Sequence, residues 1–136
     1  MPRFDRTLAE RLPLRLLLAD DNVVNQAVGT GLLKRLGYQV DVVTTGAEVL
    51  QALEAREYDL IFLDVQMPVM DGYEAARRIR ARWSANEHTR PRMIAMTSDA
   101  MQGAREMCLE AGMDDYLSKP VNVETLQALL QRWGTV

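Results

Sequence analysis

Hydrophobic positions along this chain follow two alternating patterns. Short apolar runs occur at Leu14–Ala19, Gln39–Val43, Leu60–Leu63, Met93–Met96 and Tyr116–Leu117. Between them, apolar residues recur at helical spacing. Val24, Val28, Leu32 and Leu36 step by four, Ala47, Leu50 and Leu53 by three, and Ala76, Ile79 and Trp83 by three and four. Ala100, Ala104, Cys108 and Ala111 form a stripe of small residues, and Leu126, Leu129 or Leu130, and Trp133 close the pattern.

Local signals agree. Thr45-Gly-Ala-Glu48 is a capping-box signature and Asp71-Gly-Tyr-Glu74 its Asp counterpart. Gly37 and Gly112 fall where helix-ending glycines belong. The pattern predicts five βα units, hence an α/β fold: a doubly wound, five-stranded parallel sheet with helices on both faces. The runs at Leu14–Ala19 and Leu60–Leu63 are solidly apolar, as in strands covered on both sides. Crossovers are expected to be right-handed. Residues 1–13 read as a leader, either a short helix carrying Phe4, Leu8 and Leu12 on one face or a frayed linker, and 14–136 as the domain.

With 136 residues, 48% of them apolar, the chain makes one globular domain that needs no disulfide or metal to fold. Its single cysteine, Cys108, suits a reducing compartment and is read as packing. Net charge is −3, and no basic cluster suggests nucleic-acid binding. The run Leu16-Leu17-Leu18-Ala19 is too short to span a membrane, and two aspartates follow it, unlike a signal peptide. A cytoplasmic domain without membrane contact is expected.

In open parallel α/β sheets, ligands bind beyond the carboxyl ends of the strands. Asp20 and Asp21 follow the first run, Asp64 the third, Thr97 the fourth and Lys119 the fifth. With strand order 2-1-3-4-5, the acidic pair lies beside Asp64. Three close carboxylates repel one another and push a proton onto one of them unless a cation intervenes. A set of hard oxygen donors without His or Cys favours Mg²⁺, or Mn²⁺, over zinc or copper. Lys119 and Thr97 add a positive charge and a hydroxyl donor, outlining a phosphoryl site in which an aspartate is the nucleophile.

These residues resemble the receiver domain of two-component response regulators. The matching text is Leu18-Ala-Asp-Asp-Asn22, Asp64-Val-Gln-Met-Pro-Val-Met-Asp-Gly72, Thr97-Ser98 and Tyr116-Leu-Ser-Lys-Pro120. The resemblance implies a flavodoxin-like order 2-1-3-4-5. It makes Asp64 the phosphoacceptor, with Asp20, Asp21, Asp64 and the Gln66 carbonyl holding Mg²⁺, Asp21 more directly than Asp20. It gives Lys119 and Thr97 the phosphoryl oxygens, makes Thr97 and Tyr116 the switch pair, and implies a cis Lys119–Pro120 peptide. The donor would be a histidine kinase or a histidine phosphotransfer domain. The responding face would be made by the fourth helix, fifth strand and fifth helix of the βα units. Asp21-Asn-Val-Val-Asn-Gln26 and Asp64-Val-Gln-Met-Pro resemble receivers of hybrid sensor histidine kinases. That implies a kinase linker in residues 1–13 and, for the whole protein, the cytoplasmic part of a membrane-bound sensor kinase.

Departures and rivals accompany this reading. Thr97-Ser98-Asp99-Ala100 replaces the Thr-Ala-Asn-Ala usual in hybrid-type receivers, so Asp99, with Gln66, is expected to influence phosphoryl lifetime. Gly29 and Gly31 weaken their helix and suggest close approach by the sheet or a partner. His88 reads as a loop residue and Met107 as off the helix stripe. A Mg²⁺-dependent phosphohydrolase with an aspartyl phosphate is the enzyme alternative. Its general-acid Asp would stand at Gln66, and there is no cap domain. A constitutive protein-binding module with an unused site is the other.

Overall fold

The computed structural model describes residues 7–65, 67, 70–85, 90–97, 104–119 and 121–134. Five strands, β1 (Leu16–Ala19), β2 (Val40–Val43), β3 (Leu60–Asp64), β4 (Arg92–Thr97) and β5 (Asp115–Ser118), form one parallel sheet in the order β2-β1-β3-β4-β5. A one-turn helix, α1 (Leu8–Arg11), precedes β1. The crossovers carry α2 (Val23–Arg35), α3 (Gly46–Ala55), α4 (Gly72–Arg82) and α5 (Ala104–Glu110), and α6 (Val123–Gly134) closes the fold.

Strand alternation divides the core between two layers. Leu17, Ala19, Ile61, Leu63, Met93 and Ala95 point to the side of α3, α4 and α5, where they meet Val49, Leu53, Ala76, Ile79 and Cys108. Leu16, Leu18, Leu60, Phe62, Ile94 and Met96 point to the side of α1, α2 and α6, where they meet Leu8, Leu33, Leu36, Leu126 and Leu130. All of β1 and β3 is buried, while β2, at the sheet edge, is half-exposed.

The caps form as the local sequence dictates. The Thr45 hydroxyl accepts the Glu48 amide at 3.1 Å and Glu48 reaches back to the Thr45 amide at 3.2 Å. Asp71 accepts the Glu74 amide at 2.9 Å. Gly37 and Gly112 turn the chain after α2 and α5 at φ 94° and 99°, a region that side chains with a Cβ resist.

In α2 the packed face is not the stripe that begins at Val24. Val23 and Val24 are 76% and 68% exposed, and Val28 is exposed too. Steps of four advance about 40° round a helix, so a run of them leaves the contact face. The face that meets the sheet runs through Gln26, Gly29, Leu33 and Leu36. In α3, likewise, Val49 is fully buried while Leu50 is only half-buried.

The leader is helical over one turn, and its Leu8 is 1% exposed. The Ala9 amide donates to the Leu36 carbonyl at 3.2 Å, and the Tyr38 hydroxyl donates to the Leu12 carbonyl at 2.6 Å. Phe4 lies outside the described residues, as does His88.

Candidate functional site

The ladder between β1 and β3 sets Ala19 opposite Leu63, so the next residues, Asp20 and Asp64, emerge side by side. Asp64 ends β3 and is 5% exposed, and Asp20 is 1% exposed. Carboxylate oxygens of Asp20, Asp21 and Asp64 lie within 4.8 Å of one another, with Asp21 on the solvent side.

Two further strands supply the rest. Thr97, buried, ends β4, and its carbonyl accepts the Lys119 amide at 2.7 Å. That bond extends the β4–β5 ladder by one residue beyond the Thr97–Ser118 pair. The Lys119 Nζ then stands 3.1 Å from Asp20 Oδ2 and 3.2 Å from Asp64 Oδ2. Tyr116, in β5, is half-buried against the core on the α3–α5 side. Gln66, Ser98, Asp99 and Pro120 lie outside the described residues, so the carbonyl ligand, the departures after Thr97 and the cis peptide are not located.

Asp20 is held by the backbone on several sides. Its amide donates to the Val43 carbonyl at 3.1 Å, and its Oδ1 accepts the Asn22 amide at 2.9 Å. Asn22 also caps α2, accepting the Asn25 amide at 3.0 Å. The remaining oxygen, Oδ2, is buried and accepts no hydrogen bond among the described residues, the Lys119 ammonium being near but not aligned as a donor. A buried carboxylate oxygen left without a donor is costly, and three carboxylates facing one ammonium leave local negative charge in excess. Both features fit a hard divalent cation with oxygen ligands, Mg²⁺ or Mn²⁺.

The loop after β3 is clasped from two sides. The Gly46 amide donates to the Met70 carbonyl at 3.0 Å. A Cβ on Gly72 would lie 2.4 Å from the Asp64 carbonyl oxygen, so α4 begins directly against the backbone of Asp64. Sequence reasoning missed both contacts, although glycine next to a cap was a signal for close approach.

Sequence reasoning also missed a buried ion pair at the opposite edge of the sheet, just before β4 and β5. Both terminal nitrogens of Arg90 donate to Asp114, each at 2.9 Å, and Asp114 also accepts the Met93 amide at 2.8 Å. Burial works to raise the Asp114 carboxyl, but the Arg90 and Met93 hydrogen bonds and the nearby arginine charges outweigh it and hold it below its ordinary range. Burial pushes the Cys108 thiol up, in keeping with a packing role.

Comparison with known proteins agrees with this geometry. A 45% identical chain with a TM-score of 0.79, covering 90% of this chain and 98% of its own, is the receiver domain of a sensor histidine kinase from Pseudomonas aeruginosa with a magnesium ion coordinated in its active site cleft. The co-crystal structure of the Saccharomyces cerevisiae histidine phosphotransfer protein Ypd1 with the receiver domain of Ssk1 matches at 30% identity and a TM-score of 0.83, over 90% of this chain and 89% of that one. Sensor histidine kinase GacS of Pseudomonas protegens is 37% identical over 95% of this chain, which spans only 14% of GacS. The response regulator receiver domain family matches residues 16–131. With its strand order, its acidic rim and this match in agreement, the chain belongs to the response regulator receiver domain family.

Proposed function

We propose that this domain receives a phosphoryl group on Asp64 from a phosphohistidine, in a Mg²⁺-dependent step of a two-component phosphorelay. The observation that carries the reading is the convergence of the Asp20, Asp21 and Asp64 oxygens within 4.8 Å, with the Lys119 ammonium 3.1 and 3.2 Å from two of those carboxylates. Asp64 attacks phosphorus, a P–O bond forms as the P–N bond breaks, and the histidine of the donor leaves with its electron pair. Asp20 and Asp21, together with Asp64 and the Gln66 carbonyl, would hold the cation. When bound, it offsets charge on the phosphoryl oxygens. Lys119 meets one phosphoryl oxygen and the Thr97 hydroxyl another, leaving catalysis to positioning and charge.

The added charge biases a two-state equilibrium in which Thr97 and Tyr116 are the moving pair. The output is altered partner affinity at the face of α5, β5 and α6, where Met107 and Leu109 of α5 are exposed. The domain turns over no external substrate, and its chemistry is confined to gaining and losing its own phosphoryl group. The donor is a histidine kinase or a histidine phosphotransfer domain, and similarity to GacS supports a hybrid histidine kinase as the parent chain. Among the described residues, no helix is long and apolar enough to cross a membrane. We propose a cytoplasmic site of action for the domain, beside its phosphohistidine donor.

The test is labelling by radioactive acetyl phosphate with and without Mg²⁺. The unsubstituted domain should label only with the cation, and Asp64→Asn should not label at all. Undiminished labelling of Asp64→Asn would overturn the assignment.

A further inference from the structure

We propose that Gln26 is a positioning residue for the cation site, holding the turn after β1 so that the carboxylates of Asp20 and Asp21 face Asp64. This rests on the proposed reading of the acidic rim as a cation site. The side-chain amide of Gln26 donates to the backbone carbonyl of Asp20 at 2.6 Å.

This bond serves the turn and not the helix. The orphan groups at a helix start are amide N–H groups, and Asn22 already caps α2. Gln26 reaches back to a carbonyl two residues before that cap. Its effect is to complete the restraint of Asp20. The amide is tied to Val43, the carbonyl to Gln26, and Oδ1 to the Asn22 amide. Oδ2, buried and accepting no hydrogen bond among the described residues, is the oxygen left to face the rim.

The helix is built to bring Gln26 within reach. Gly29 lies one turn further along the same face, and a Cβ there would come within 3.0 Å of Leu18 Cδ2, a methyl carbon of β1. Glycine therefore lets α2 settle close to the strand that leads into Asp20. Thr30 bonds its hydroxyl to the Gln26 carbonyl at 2.8 Å, a back-bond within the helix that takes no part in the Gln26–Asp20 contact.

The experiment measures Mn²⁺ affinity by calorimetry on the folded domain, with thermal midpoint recorded separately. Gln26→Met keeps the length of the side chain and removes the donor. Its Kd should rise about tenfold, as expected when a group that orients metal ligands is lost. Thr30→Ala, on the same helix, should stay within about twofold of the parent. Gln26→Leu repeats the measurement with different packing, should Gln26→Met fold poorly. An unchanged Kd in a folded Gln26 variant, even with a lowered thermal midpoint, would overturn the proposal by making the bond structural only. Asp20→Asn separates the two readings: Mn²⁺ binding that survives it counts against the cation site itself.

Discussion

The ammonium of Lys119 spans from the end of β5 to the buried Asp20 Oδ2, 3.1 Å away, and touches the Asp64 carboxylate as well. It therefore offsets charge at the place where a cation would also act. Lys119→Met should leave two uncompensated carboxylates. Without divalent cation its thermal midpoint should fall. Mn²⁺ affinity should rise about tenfold, because a competing positive charge is gone. Acetyl-phosphate labelling should slow, because a phosphoryl contact is gone. Calorimetry and labelling kinetics check the opposed signs.

The Arg90–Asp114 pair makes a prediction about acid stability. The Asp114 carboxyl is depressed in the folded state, so its contribution is present above the unfolded carboxyl range, about pH 4. It is lost as pH falls from there through the lower folded value. Asp114→Asn should flatten the dependence of unfolding free energy on pH below about pH 4. Asp114→Ala should cost about 3–5 kcal/mol at neutral pH, since it strands a buried guanidinium. Urea titrations at several pH values read both.

Two glycine-to-alanine changes should have opposite signs. Inside a helix alanine is favoured over glycine by about 1 kcal/mol. At Gly31 nothing among the described residues lies within 4 Å of an added Cβ, so Gly31→Ala should stabilise by about that amount. At Gly72 the added carbon would lie 2.4 Å from the Asp64 carbonyl oxygen. Steric conflict with backbone overrides propensity there, and Gly72→Ala should destabilise by about 1–3 kcal/mol. It should also slow labelling by displacing Asp64.

Leu8 tests whether the leader belongs to the folded unit. It is buried with Leu33, Leu36 and Leu130, although it lies before the domain boundary expected at residue 14. Leu8→Ala should cost about 2 kcal/mol, at the low end for buried leucine because the single turn can shift. Glu10→Ala, exposed on the same turn, should stay within about 0.5 kcal/mol. Chemical denaturation distinguishes them.

The strand order was legible through the resemblance to receiver domains, and the site for one further reason. Parallel strands deliver the residues at their carboxyl ends to a common rim, so Asp20, Asp21, Asp64, Thr97 and Lys119 could be placed together from their positions after apolar runs. The structure keeps that order and that convergence. The features that escaped notice depend on tertiary fit. Arg90 and Asp114 are 24 positions apart and share no periodicity. The Gln26 bond runs from a side chain to a carbonyl, and a carbonyl is present at every residue. Val24 and Val28 mislead because valine marks an apolar position without saying whether the sheet extends beneath it. Gly29 and Gly31 look equivalent in the chain, yet only Gly29 faces β1.

Asp20 and Asp64 are rooted in β1 and β3, which the ladder locks together in the middle of the sheet. Like charges mounted on flexible loops can relax by drifting apart. These two cannot, short of tearing hydrogen bonds from the most enclosed strands of the protein. The electrostatic tension that Lys119 leaves unbalanced is thus held in a stiff frame, and further positive charge at the rim relieves it.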